Sequence, residues 1–199
     1  MLRLIAAGAL VAGAAGLCGV ASAQPRPAGD GLGEMYCVYE SLTLETDYEV
    51  VAEAFLYGDT AAADIAAAKK LVDDTAATCA AGHDITAGQM SAMSEIGILG
   101  SAADYLADEL LFEGVSETAI DGIFDVFDEL SEDDQDGIYD GAWRDDAAIE
   151  GRVKSALLAK GVPDAEHSIE TAFQILELST MAMDSVMMFM LDEMKDDKP

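Results

Sequence analysis

Residues 33–82 read GEMYCVYESLTLETDYEVVAEAFLYGDTAAADIAAAKKLVDDTAATCAAG, and this stretch decides the fold. In its first half Cys37, Leu44, Tyr48, Val51 and Phe55 recur at intervals of seven, four, three and four. That spacing holds them on one face of a helix turning every 3.6 residues or so. In its second half Ile65, Ala68, Val72, Ala76 and Cys79 repeat the pattern. The Gly58-Asp59 pair interrupts the chain midway between the two cysteines, so folding back at that point brings Cys37 and Cys79 level. The stretch therefore predicts an antiparallel helical hairpin stapled by a disulfide between Cys37 and Cys79.

Towards the N-terminus, residues 1–23 carry one positive charge, at Arg3, then an apolar Gly/Ala/Leu/Val run that closes on Ala21, Ser22 and Ala23. Small residues at that spacing are what a signal peptidase accepts, so cleavage before Gln24 and a periplasmic or secreted destination are expected. The run is thin in Leu, Ile and Phe and crowded with Gly and Ala, which argues against an uncleaved membrane anchor. Leu17, a large residue before Cys18, argues against a lipoprotein site. Cleavage discards Cys18 and leaves Cys37 and Cys79 as an even pair, as an oxidising compartment favours. Residues 24–32, with Pro25, Pro27, Gly29 and Asp30, read as a disordered leader, and residues 33–199 as a single acidic helical domain.

The chain holds 39 acidic against 10 basic residues, a net charge of -29. Such a field repels phosphate backbones and anionic head groups, so nucleic acid and membrane surfaces are disfavoured as partners. Proteins or peptides of basic character are favoured. The same charge also serves simply to keep an Ala-rich and Met-rich chain in solution.

Downstream of the hairpin, residues 84–86 supply capping oxygens for a helix over residues 87–112, with Met90, Met93, Leu99, Leu106 and Leu110 as its larger apolar residues. Gly97, Gly100 and Ala103 form a strip of small residues along it, fit for the close approach of a neighbour or for a kink. Ser116 opens the next helix, with Ile120, Ile123, Phe124 and Phe127 inward. A helix over residues 146–160 offers a Glu150 and Lys154 pair, and Pro163-Asp164 opens a last helix reaching about residue 194. No strand pattern of useful length occurs. The class is all-α, a bundle of about five to seven helices.

Three constellations bear on chemistry. The run from Ser131 to Gly137 resembles a calcium loop in part: with Gly137 at the sixth place, Asp134, Asp136 and Asp140 fall at the third, fifth and ninth. The twelfth place is Trp143, where such a loop needs a bidentate carboxylate, so the plainer expectation is a helix capped by Ser131. Second, Met181, Met183, Met187, Met188, Met190 and Met194 crowd the last helix. Met183, Met187, Met190 and Met194 continue the stripe of Ile169, Ala172 and Leu176 and are expected in the core, whereas Met181 and Met188 project beside Glu177, Asp184 and Lys195. Methionine beside acid suits an adaptable groove for a basic amphipathic helix, and thioethers also bind Cu(I). Third, His83 and His167 lack the paired acid and histidine motifs of a di-metal helical site and read as surface or capping residues.

No hydrolase, metalloprotease or phosphate-binding motif is found, and no cofactor is implied. The sequence thus predicts a non-enzymatic, exported helical protein that captures a cationic or amphipathic partner, with Met181, Met188, Asp184 and Glu177 at the contact. Divalent or soft-metal (Ca or Cu) binding at Asp134, Asp136 and Asp140 or at the methionines is one alternative. A purely structural homo-oligomeric module is the other.

Overall fold

The computed structural model describes residues 32–45, 48–57 and 60–196. The expected signal segment and nearly all of the leader, together with the Gly58-Asp59 break, lie outside these residues. Nine α-helices follow in chain order among them: α1 (Leu32–Met35), α2 (Cys37–Glu45), α3 (Tyr48–Leu56), α4 (Ala62–Ala80), α5 (Ala87–Phe112), α6 (Glu117–Glu129), α7 (Glu132–Tyr139), α8 (Ala147–Lys160) and α9 (Glu166–Asp196). A short 3-10 helix, Ala142–Arg144, joins α7 to α8. No strand is present among the described residues.

Helices α1, α2, α3, α4, α6 and α9 are laid against α5. Its first turn is fixed by a reciprocal cap, in which the Thr86 hydroxyl accepts from the Gln89 amide at 3.0 Å and the Gln89 side chain accepts from the Thr86 amide at 2.9 Å. Helix α9 runs antiparallel along it. At one end the Thr86 hydroxyl donates to Asp192, and at the other His167 Nε2 lies 3.1 Å from Glu113 Oε1. Between these ends the seam is filled by Leu99, Ala103, Leu106 and Leu110 of α5 with Ala172, Ile175, Leu176 and Leu178 of α9.

The small-residue strip of α5 marks a close approach rather than a kink. A Cβ added at Gly97 would stand 2.5 Å from Val38 Cγ1, and one at Gly100 would stand 2.5 Å from Tyr39 Cδ2. Helix α2 therefore lies on α5 at a distance that only glycine permits at those two positions.

The first sequence pattern departs from expectation. Instead of one helix there are three short ones, and the acidic run adds α7 as a helix of its own, which together raise the number from five to seven up to nine. Through α1 and α2 the buried positions are Met35, Val38 and Leu42, and in α3 they are Val51 and Ala52. An unbroken helix would carry the stripe from Leu42 to Glu49, which is exposed, so the buried face of α3 is out of phase with that of α2. Leu44 and Phe55, expected inward, are 79% and 47% exposed. In α4 the expected stripe is buried at Ala68, Val72, Ala76 and Cys79, while Ile65 is half-exposed. The sulfurs of Cys37 and Cys79 lie 2.02 Å apart, at disulfide distance.

Of the remaining helices, α6 packs on α5 and α9, α7 on α9, and α8 on α6 and α9. Trp143, fully buried, meets Phe173 of α9 edge to face at 4.9 Å between ring centroids. The Arg144 guanidinium stacks over both rings at 4.5 and 4.7 Å and pairs with Glu170 and Glu177. Lys154 pairs with Asp164 at 2.7 Å, not with Glu150 as its helical spacing suggests.

Candidate functional site

The second half of α9 has an unusual division of faces. Ala182, Ser185 and Phe189 are buried, and the arc opposite them carries Met181, Met183, Met187, Met188 and Leu191. These five side chains are 43 to 57% exposed, with exposed Asp184 among them. A helix that is apolar on its outer as well as its inner face is normally covered on both. Nothing covers this one among the described residues.

The exposure of Met181 and Met188 agrees with the sequence reading, and that of Met183 and Met187 corrects it. The reason lies in where the neighbours end. Up to Thr180, α9 is enclosed on several sides: Ile169, Thr171, Ala172, Phe173, Ile175, Leu176, Leu178 and Thr180 are all buried. Beyond that point only the face of Ala182, Ser185 and Phe189 stays buried, and the stripe of Ile169 and Leu176 continues into exposed Met183 and Met187. Met190 is half-buried, and Met194 and Lys195 lie outside the described side chains.

The acidic residues expected at this surface divide in the same way. Glu177 is held by Arg144, its Oε1 accepting from Nε at 2.9 Å, and so belongs to the packed Trp143 corner. Asp184 remains exposed on the methionine ridge. A narrow cleft of about 70 Å³ runs beside the ridge, bordered by Met183 and Val186 of α9, Phe124, Phe127 and Asp128 of α6, and Tyr139.

A larger concavity was not foreseen. Helices α3, α4 and α5 wall a groove of about 780 Å³ lined by Val51, Phe55, Ile65, Val72, Met90 and Ile98, among others. Lys69 and Asp73 sit on its edge and pair with each other at 3.0 Å. The sequence did carry a signal for it. Helix α4 carries alanine at eight of its 19 positions, and so thin a helix leaves space between itself and α5.

At the acidic run, residues 132–139 are helical, whereas a calcium loop needs open backbone for its ligands to converge. Asp134 is 3% exposed, and both its oxygens are engaged. Oδ2 accepts from Arg152 Nε at 2.9 Å and from the Ser131 hydroxyl at 2.8 Å, and Oδ1 accepts from Arg152 as well. The guanidinium occupies the place a cation would take. Its hydrogen bonds outweigh the cost of burial and hold Asp134 below the ordinary carboxylate range. Asp136 and Asp140 are exposed. No group of three or more His, Cys, Asp or Glu among the described residues is placed to hold a metal ion. His83 pairs with Glu34 at 2.8 Å.

No helix among the described residues is long and apolar enough to cross a membrane. Comparison with protein-family models, with curated proteins and with solved structures finds no match for the chain. The fold and the exposed surfaces alone define the class: an acidic all-α bundle with a bare methionine ridge.

Proposed function

We propose that the protein is a non-enzymatic, exported binding protein that captures a cationic amphipathic polypeptide on the methionine ridge of α9. The observation that carries this reading is the apolar outer arc from Met181 to Leu191, five large side chains on a helix whose inner face is already packed. Unbranched thioethers repack around different apolar anchors at little cost, which suits a surface that accepts more than one sequence. The charge of -29 then selects the partner. A basic polypeptide is drawn in by the long-range field, while a second copy of the chain brings acid against acid. Export and the helical hairpin closed by Cys37 and Cys79 complete the picture: a staple of this kind suits an oxidising compartment and holds α4 to the bundle.

Affinity capture from an envelope fraction at low salt tests the reading. Basic proteins should be retained by the wild type, released as salt rises, and lost when Met187 and Met188 are both changed to Asp. Retention without basic bias, or retention unchanged in that variant, contradicts it.

A further inference from the structure

We propose that the groove between α3, α4 and α5 is a second docking site, shaped for one amphipathic α-helix of about three turns whose outer face carries lysine or arginine. This site is separate from the α9 ridge and stands without it. Two of its walls carry residues at helical spacing: on α4 exposed Ile65 with buried Ala68, Val72 and Ala76 at the floor, and on α5 Ala87, Met90, Ser94 and Ile98. A third, shorter wall is formed by Val51, Ala54 and Phe55 of α3. Such stripes facing a common gap are what a bundle offers to a further helix, whose own residues at intervals of three and four interdigitate with them. Along α4 the gap extends from Ile65 to Ala76, about 16 Å at 1.5 Å per residue, which is the length of about 11 helical residues.

The polar groups argue against a small polar ligand. Ser94 donates its hydroxyl to Met90 O at 3.0 Å, and Lys69 is paired with Asp73. No convergent set of polar side chains is left in the lining to orient a small molecule. Of the lining residues only Lys69 and Asp73 are charged, and they pair with each other; exposed Glu53, Asp64 and Glu95, next in sequence to lining residues, have no basic residue to balance them among the described residues, since Lys70 is paired with Asp74. That balance favours a basic outer face on the occupant and disfavours a second copy of this chain.

The test is a fluorescence-anisotropy titration of the purified protein with a labelled synthetic peptide of about 12 residues, leucines on one helical face and lysines on the other. In a protein carrying Met187→Asp and Met188→Asp, which removes the ridge, the expected result is saturable one-to-one binding at low salt, weakened about tenfold or more by either Phe55→Asp or Ile65→Asp. Phe55 and Ile65 are half-exposed, so these variants should melt with the wild type, and a circular-dichroism melt confirms that they are folded. Equal binding of a peptide with glutamate in place of lysine, or of one interrupted by proline, overturns the proposal. So does insensitivity to both groove substitutions, or light scattering that shows two copies of the chain pairing through this face. Binding by the wild type but none by the protein lacking the ridge would place the peptide on the ridge and leave the earlier reading intact while refuting this one.

Discussion

Asp134 and Arg152, 18 residues apart, form a clamp in which a buried carboxylate of α7 is held by a half-exposed guanidinium of α8. The pair fixes α7 to α8 and closes the acidic run against its neighbour. Because Asp134 titrates below the ordinary carboxylate range in the folded protein, the pair contributes fully at pH values above the unfolded pKa of about 3.9. As pH falls from there through the lower folded value, the unfolded chain takes up its proton first and the contribution is lost. The melting temperatures of the wild type and Asp134→Asn should differ by a constant amount from pH 7 to about 5 and converge below about 4. At neutral pH, Arg152→Ala should lower the melting temperature by several degrees, since it strands the buried carboxylate.

At the α2 and α5 contact, Gly97→Val should destabilise by about 1 to 3 kcal/mol in a denaturant titration, because its Cβ alone would enter Val38. Gly151 gives the internal control. It lies on α8 with nothing within 4 Å of an added Cβ, so Gly151→Ala should stabilise by about 0.5 to 1 kcal/mol.

Cys79→Ser should cost about 2 to 5 kcal/mol, the range for a native cross-link whose loss frees the unfolded chain. Limited proteolysis of the variant should cut first within α4, where burial otherwise rests on Ala68, Val72 and Ala76.

The outer arc of α9 and the interior respond differently to truncation. Met183→Ala and Met187→Ala should each change stability by no more than about 0.5 kcal/mol, as exposed positions do. Met93→Ala, at a fully buried site in α5, should cost about 2 to 5 kcal/mol.

How much of this is legible in the sequence depends on whether a residue's neighbours are local. The bounds of α5, the Ser116 and Ser131 caps and the pairing of Cys37 with Cys79 follow from residues close in sequence or from a repeating period, and the sequence predicts them. The ridge is only half legible. Periodicity shows that Met183 and Met187 share a stripe with Leu176, but not that burial along that stripe ends near Thr180. The single long helix read through Leu44, Tyr48 and Phe55 fails for a related reason. Apolar spacing continues across residues 46–47, whereas the buried face before and after that point is set by contacts with α5. The groove is least legible, since it is a gap between three helices and no single pattern encodes it.

Methionine oxidation footprinting tests the central claim most directly. The protein is treated briefly with dilute hydrogen peroxide, alone and with saturating basic amphipathic peptide, and each methionine is read by mass spectrometry. In the free protein Met181, Met183, Met187 and Met188 should oxidise readily while Met35 and Met93, both buried, resist. In the complex the four ridge methionines should be protected, and half-buried Met90 should report separately on occupation of the groove. Ridge methionines that oxidise equally fast with and without a saturating basic partner would contradict capture on α9.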